Sequence, residues 1–475
     1  MVSLTFYGGV NEIGGNKILV KDKDTKIFLD FGLSFSKKSM FFEEFLTPRT
    51  ANGIGDFIEM NLLPDIKGIY REDLLKHFGR EPENKEIQAV FLSHAHADHA
   101  NYVSFLHKDI PIYCSNISKL VLEAIEEQSQ RDIENEILNF KERPLFRKDY
   151  KKPPVERKFV TFNSKDKIKI DGLEIIPIHV DHSLPGACGF IVYTSEGAIV
   201  YTGDFRMHGT NFNYTKEFIE TAKKERPIAL ITEGTRIDEK ERRNLSSERE
   251  VYENALNVAK KCKNLLIVDF NFKDVDRFKT FFKIAKEIGR KMVISFRHVC
   301  FLEKYKEEKS LEIPNIKENI MILKPKLGTG TYSEEDYLNY SFIKKRLNYD
   351  NIITAEEIRE NQEKYMIVLN FYYFTNLIDL KPRKESIYIH SLSEAFNEEM
   401  EISEKRMDNW LNHFGLKKYQ IHCSGHADLN DILYAINEIS PKLVFPIHTE
   451  DQDAFEKLKI NSKICKIKEG LEYKL

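Results

Sequence analysis

Four donor side chains fall within six positions, His94-Ala95-His96-Ala97-Asp98-His99, directly after the apolar run Ala89-Val90-Phe91-Leu92. Neutral imidazole nitrogens and carboxylate oxygens are the usual ligands of Zn²⁺, and a catalytic site keeps a coordination position open. Three imidazoles and a carboxylate at the end of a buried strand serve no packing purpose, so the segment reads as a metal site. Four donors this close in sequence cannot all approach one tetrahedral ion from separate corners at roughly 2.0–2.2 Å. Two ions are therefore expected, His94 and His96 facing one, Asp98 and His99 the other. Metal pairs about 3.5–4 Å apart clamp a phosphoryl centre and hold an attacking hydroxide.

More polar groups follow apolar segments further on. His182 lies in Asp181-His182-Ser183-Leu184-Pro185-Gly186, Asp204 in Tyr201-Thr202-Gly203-Asp204, and Glu233 in Leu230-Ile231-Thr232-Glu233. Near the carboxy terminus, His426 stands in Ser424-Gly425-His426-Ala427-Asp428 and His448 in Pro446-Ile447-His448-Thr449, with a helix expected near Leu429 to Ile439 between them. Ligands at the ends of successive strands of one sheet converge in space without being neighbours in sequence.

The elements that must position these groups are legible from period and punctuation. Leu4 to Tyr7, Lys17 to Val20 and Lys26 to Asp30 read as short strands of an opening meander. The intervening Gly8-Gly9-Val10-Asn11-Glu12-Ile13-Gly14-Gly15 lacks the spacing of a dinucleotide loop and reads as tight hairpin turns. Residues 34 to 86 are irregular. A helix is expected near Ala100 to Leu106 and a long charged one near Ile117 to Phe140. The basic, aromatic stretch from Arg143 to Lys158 could guide a nucleic-acid backbone, although a solvated loop is the preferred reading. Strands are expected at Leu173 to Ile178, Phe190 to Tyr193, Ala198 to Thr202 and Ile228 to Thr232. Ser247 and Glu250 form a capping box opening a helix, and a strand-helix-strand unit follows from Leu265 to Phe296. Residues 236–385 thus read as an α/β domain inserted between residues 1–235 and 386–475.

The totals bound the class. With 475 residues, two or three domains are expected; 41% hydrophobic and 31% charged residues describe a globular chain, and a net charge of −3 requires any basic track to be local. The amino terminus lacks the charged-then-apolar order of a signal peptide, and no run approaches the roughly 18 apolar residues of a membrane span. A cytoplasmic location is expected. Six scattered cysteines suggest neither a disulfide framework nor a zinc finger.

These motifs, in this order, resemble ribonuclease J and its archaeal relatives, within the metallo-β-lactamase fold carrying a β-CASP insertion. The resemblance covers nearly the whole chain and implies an αββα sandwich interrupted by an α/β β-CASP domain. It also implies a ligand set: His94, His96 and His182 for a first Zn²⁺, Asp98, His99 and His448 for a second, with Asp204 bridging, and Mn²⁺ as the alternative ion. Asp30 and Glu233 would be supporting carboxylates, His426 the general acid oriented by Glu233, and Ser424 with Gly425 the segment receiving a terminal phosphate. Thr449 and Gly186 depart from the family pattern, the loop from Ser34 to Glu86 looks longer, and with the sequence ending at Leu475 the family's extra carboxy-terminal domain is expected to be missing.

The preferred expectation is a two-metal ribonuclease that degrades RNA from a 5′-monophosphate end, with endonucleolytic cleavage as a further capacity and a homodimer as the assembly. A DNA nuclease of the same group is the nearest rival; a histidine at position 448 accompanies the RNA type. A hydrolase of thioesters or lactones would share the His94–His99 motif but leaves the insertion before His426 unexplained. A non-catalytic subunit would have eroded ligands, and here all seven are present.

Overall fold

Val2–Gly8, Lys17–Asp22 and Thr25–Phe31 are rich in β-branched and aromatic residues, lie between turn-forming residues, and form the expected antiparallel meander. From Thr25–Phe31 the pairing becomes parallel through Ala89–Phe91, Ile112–Ser115 and Phe159–Phe162, while Glu472–Lys474 closes the other edge. A second seven-stranded sheet runs Lys463–Ile464, Leu443–Ile447, Ala229–Glu233, Gly197–Tyr201, Cys188–Thr194, Leu173–His179 and Ile168–Ile170. The structure is a computed structural model and describes all residues except 44, 130–131, 147–152, 239–244, 246 and 394–397.

Both faces of the second sheet are buried, and the period-2 alternation of strands assigns them. Ile199, Tyr201 and Ile231 turn to a core shared with Phe6, Leu29 and Phe91 of the first sheet. Val200 and Leu230 turn the other way, onto Phe218 and Ile219 of helix Phe212–Lys224 and Ile432 and Ile436 of helix Leu429–Ile439. Helix Asn116–Gln128 covers the first sheet with Leu120, Val121 and Ala124. The order helix, sheet, sheet, helix puts the ends of both sheets' strands on the same core. These elements belong to one compact unit, Met1–Glu241 with Gly425–Leu475.

Arg242–Ser424 form the other unit. Its seven strands run Ile352–Ile353, Ile320–Leu323, Lys291–Ser295, Tyr365–Val368, Leu266–Phe270, Ile387–Ser391 and Lys417–Gln420, every pairing parallel. Near-continuous apolar runs such as Leu-Ile-Val in 266–268 and Met-Val-Ile in 292–294 suit a parallel sheet buried on both faces. Residues 386–424 were grouped by sequence with the final part of the first domain, yet Ile387–Ser391 and Lys417–Gln420 pair within this sheet.

Two local expectations change. The long helix foreseen up to Phe140 ends at Gln128, and Asn139–Phe140 instead pairs with Val155–Glu156. The reason is Glu126, whose carboxylate accepts from the backbone N–H of Leu138 at 2.7 Å, while Phe140 is buried under the guanidinium groups of Arg71 (3.9 Å) and Arg157 (4.6 Å). The basic stretch from Arg143 to Lys158 lies partly outside the described residues. Of its described part, Arg157 is buried and donates to the carbonyls of Leu106 and Ser104, and Arg143 pairs with Glu136 at 2.6 Å. These two cations serve the fold. Among the described residues, no helix is long and apolar enough to cross a membrane.

In the second unit Arg277 is 2% exposed and meets Glu248 twice, Nη2 to Oε1 at 2.8 Å and Nε to Oε2 at 3.1 Å, with a further bond from Nη1 to Ser391 Oγ at 2.6 Å. A buried pair that loses one member leaves the other charge uncompensated. Arg277→Met should therefore lower the unfolding free energy by about 3–5 kcal/mol, read as a lower urea midpoint. The double substitution with Glu248→Met should recover most of the loss; equal midpoints for the single variant and the parent would refute the assignment.

Candidate metal centre

The strand Ala89–Phe91 ends in Leu92-Ser93, and the chain then turns through His94 into the short helix Ala97–Ala100. This turn is pinned by residues flanking the strands Lys17–Asp22 and Thr25–Phe31. Asn16 N–H donates to Asp98 O at 3.0 Å and Leu33 N–H to Ala97 O at 3.0 Å. The approach is so close that a Cβ on Gly32 would sit 1.7 Å from the Asp98 carbonyl oxygen, and one on Gly14 would sit 2.7 Å from its carboxylate. Only glycine permits this backbone contact. The glycine-rich segment read as hairpin turns is thus also a wall of the site: Gly9 O accepts from His448 N–H at 2.8 Å. Its signal in the sequence was length, since eight residues are too many for a two-residue turn.

All seven expected ligands come together. His94, His96, His182 and Asp204 offer atoms within 4.8 Å of one another, as do Asp98, His99 and His448. Asp204 touches both groups: Oδ2 is 3.1 Å from His99 Nε2, 3.6 Å from His448 Nε2, 3.7 Å from His94 Nε2 and 4.0 Å from His182 Nε2. His94, His182 and His99 come from opposite sheets, and His448 follows the strand Leu443–Ile447 in the left-handed region at φ 55°.

The electrostatics of this cluster suit cations. Asp204 is 1% exposed, and neither of its carboxylate oxygens has a hydrogen-bond partner; His99 Nε2 is equally unsatisfied. A buried ionised carboxylate without donors is expensive unless a positive charge offsets it. Burial, helped by neighbouring imidazoles, holds His94 and His182 well below the usual histidine range, so both stay neutral as metal ligands must be. At Asp204 and Asp98 burial is outweighed by surrounding imidazoles, and both carboxyls are lowered. At His426 burial is outweighed by Glu233 and Asp204, and the imidazole is pushed up to about 9. Neutral imidazoles, ionised carboxylates and orphaned buried atoms aimed at one another are what divalent metal ions require.

A surrounding layer orients the donors. Asp30, fully buried at φ 58°, accepts from Ser93 N–H (2.6 Å), Ser93 Oγ (2.8 Å) and Tyr201 OH (2.7 Å), and meets His99 Nδ1 at 2.8 Å, leaving Nε2 toward Asp204. His182 Nδ1 meets Gly425 O at 2.6 Å. Glu233 accepts from Phe205 N–H at Oε1 (2.7 Å) and faces His426 Nδ1 at Oε2 (2.9 Å). Ser93, Tyr201 and Thr235, whose hydroxyl lies 2.9 Å from His448 Nδ1, are additions that sequence reasoning missed, because a lone hydroxyl at or beyond a strand end carries no spacing of its own. Ser424 is 8% exposed and belongs to the other unit, whereas Gly425 contributes its carbonyl here.

Known proteins point the same way. Residues 64–261 match a model described as a β-lactamase superfamily domain, and residues 415–464 match a Zn-dependent metallo-hydrolase RNA specificity domain. Ribonuclease J of Mycoplasma genitalium is 24% identical over 463 residues, 94% of this chain and 67% of that protein. Ribonuclease J 2 of Staphylococcus saprophyticus is 23% identical over 451 residues, covering 93% and 68%. A crystal structure of a protein of unknown function from Enterococcus faecalis V583 superposes with a TM-score of 0.74 at 25% identity, covering 99% of both chains. With both sheets, the strand-end donor set and these likenesses in agreement, the chain is ribonuclease J-like and has the metallo-β-lactamase fold.

Proposed function

We propose that this metal-dependent ribonuclease removes nucleotides from the 5′-monophosphorylated end of RNA in the 5′→3′ direction, with internal cleavage as a secondary capacity. It acts in the cytoplasm as a homodimer, with Ser424 and Gly425 receiving the terminal phosphate. The observation that carries the reading is the convergence of the two ligand groups on one buried carboxylate, Asp204. His94, His96 and His182 would hold one Zn²⁺, and Asp98, His99 and His448 the other, with Asp204 shared; Mn²⁺ is the alternative ion. Such ions supply Lewis acidity to phosphoryl oxygens and make hydroxide available near neutral pH.

The chain's own groups account for the rest. Asp30 holds His99 in one tautomer, and the Gly425 carbonyl does the same for His182. His426 has its Nδ1 engaged by Glu233, and Nε2 is the ring atom that would hand a proton to the departing sugar oxygen. Glu233 in turn is anchored by Phe205 N–H, next in sequence to Asp204, which couples the acid to the ligand set.

Elemental analysis of the purified chain should find about two transition-metal ions per chain, and Gly32→Ala should lose them because the added methyl group displaces Asp98. His426→Ala should lower the rate of hydrolysis about 10²–10⁴-fold, the usual contribution of a general acid, and Asp204→Ala should abolish it, both with an unchanged circular dichroism spectrum. In a time course on end-labelled strands, RNA with a 5′-monophosphate should yield mononucleotides, while the 5′-triphosphate form and matched DNA should persist. Equal digestion of DNA would overturn the substrate, and internal fragments alone would overturn the direction. Light scattering of the eluting protein tests the dimer.

A further inference from the structure

Thr235 stands on the turn after strand Ala229–Glu233, two residues beyond Glu233, and its hydroxyl is crowded by polar atoms. Oγ1 lies 2.7 Å from Glu233 Oε2, 2.9 Å from His448 Nδ1 and 3.2 Å from His426 Nδ1. A hydroxyl has one proton to give and two lone pairs to offer. Glu233 Oε2 can only accept, so the Thr235 proton goes there. The lone pairs of Oγ1 then accept from ring nitrogens, and the nearest is His448 Nδ1.

The assignment of protons around the hydroxyl closes without conflict. His448 carries its proton on Nδ1, which leaves Nε2 bare toward Asp98 Oδ2 (3.2 Å) and Asp204 Oδ2 (3.6 Å). His426 Nδ1–H is directed at Glu233 Oε2 (2.9 Å) with Thr235 as a weaker second acceptor. Glu233 Oε1 is occupied by Phe205 N–H at 2.7 Å. Without the Thr235 oxygen, nothing named here would hold the His448 proton on Nδ1. A neutral imidazole would then gain by placing it on Nε2, donating to Asp98 or Asp204, and so blocking the atom that a metal needs.

We infer that Thr235 is a positioning residue whose hydroxyl sets the tautomer of His448 and, through Glu233, ties that ligand to the acid His426. The inference rests on the ligand and acid roles proposed above. It adds a hydroxyl bridge between carboxylate and imidazole, the counterpart of the carboxylate that usually orients a metal-ligating histidine. The two halves of the chemistry, metal binding and proton donation, then share one side chain. A turn residue that merely fills space would be replaceable by its isostere valine, because shape and β-branching are kept and only the hydroxyl is lost.

The test compares Thr235→Ser, Thr235→Val and Thr235→Ala with the parent chain, each stripped with chelator and titrated with Co²⁺ while visible absorption is followed. Making both valine and alanine variants means that misfolding of one leaves the other to decide. Thr235→Ser should bind both ions with parental affinity. Thr235→Val and Thr235→Ala should bind one ion normally and the other about 10–100-fold more weakly, the usual cost of losing an orienting partner. At saturating metal, kcat on 5′-phosphorylated RNA should fall while KM holds. Parental affinity for both ions in the valine and alanine variants would overturn the inference. His448→Ala separates the two levels of the argument. If it also keeps both ions, the ligand reading has failed; if it loses one while the Thr235 variants do not, only the role of Thr235 has failed.

Discussion

The buried carboxylate of Asp204 is the constraint around which the first unit is organised. It is 1% exposed, both oxygens lack hydrogen-bond partners, and histidine nitrogens surround Oδ2 at 3.1 to 4.0 Å. Ionised carboxylates are rarely buried unless paired, because the loss of hydration is large and only a nearby positive charge offsets it. Here the nearby imidazoles keep the carboxyl ionised against that cost. A core residue free to become apolar would not retain such an arrangement for stability; its reward is the binding of cations.

The αββα sandwich meets this constraint by delivering donors from both sheets. His94 to His99 follow a strand of the first sheet, while His182, Asp204 and His448 follow strands of the second and Glu233 ends one. Buried strands such as Ala229–Glu233, paired on both sides, cannot shift register without exchanging the side chains fitted to the two cores they separate. The donors therefore inherit the rigidity of the sheets. The cost is confined to a few backbone positions, with Asp30 and His448 at positive φ. Both residues are held there by partners, Asp30 by Ser93 and Tyr201, and His448 by Gly9 and Thr235.

How much of this was legible in the sequence depended on whether chemistry or packing set the residue. The convergent donors stood out because four of them in six positions have no competing explanation, and the remaining ones each closed an apolar run. Gly32 and Gly14 were not legible as parts of the site: a glycine that makes room for a distant backbone looks the same in sequence as one that makes a turn. Ser93, Tyr201 and Thr235 were hidden for the related reason that their partners lie up to 213 residues away. The helix expected to reach Phe140 failed because charged helical periodicity says nothing about Glu126 capturing the Leu138 backbone or about Phe140 lying between two guanidinium groups. In the second unit, the strands Ile387–Ser391 and Lys417–Gln420 are short apolar or mixed runs, and parallel pairing partners far along the chain cannot be assigned from local pattern.

The charge of the connected cluster bears on how many cations it suits. Asp30, Asp98, Asp204 and Glu233 are four carboxylates linked through His99, His448, His426 and Thr235. With neutral imidazoles the set is neutral only when four positive charges are added, which is the charge of two divalent ions. When no cation is bound, protons are the available substitute, and His99 and His426 are the groups whose affinity for them is raised. Protons and metal ions would therefore compete for the same negative field, most directly at His99, whose affinity for a proton is raised. Because Asp204 faces both donor groups, a cation held on one side would alter the field felt on the other. The two halves of the site are in this sense one electrostatic object, and the Glu233–Thr235–His448 chain extends that object to His426, the proposed proton donor.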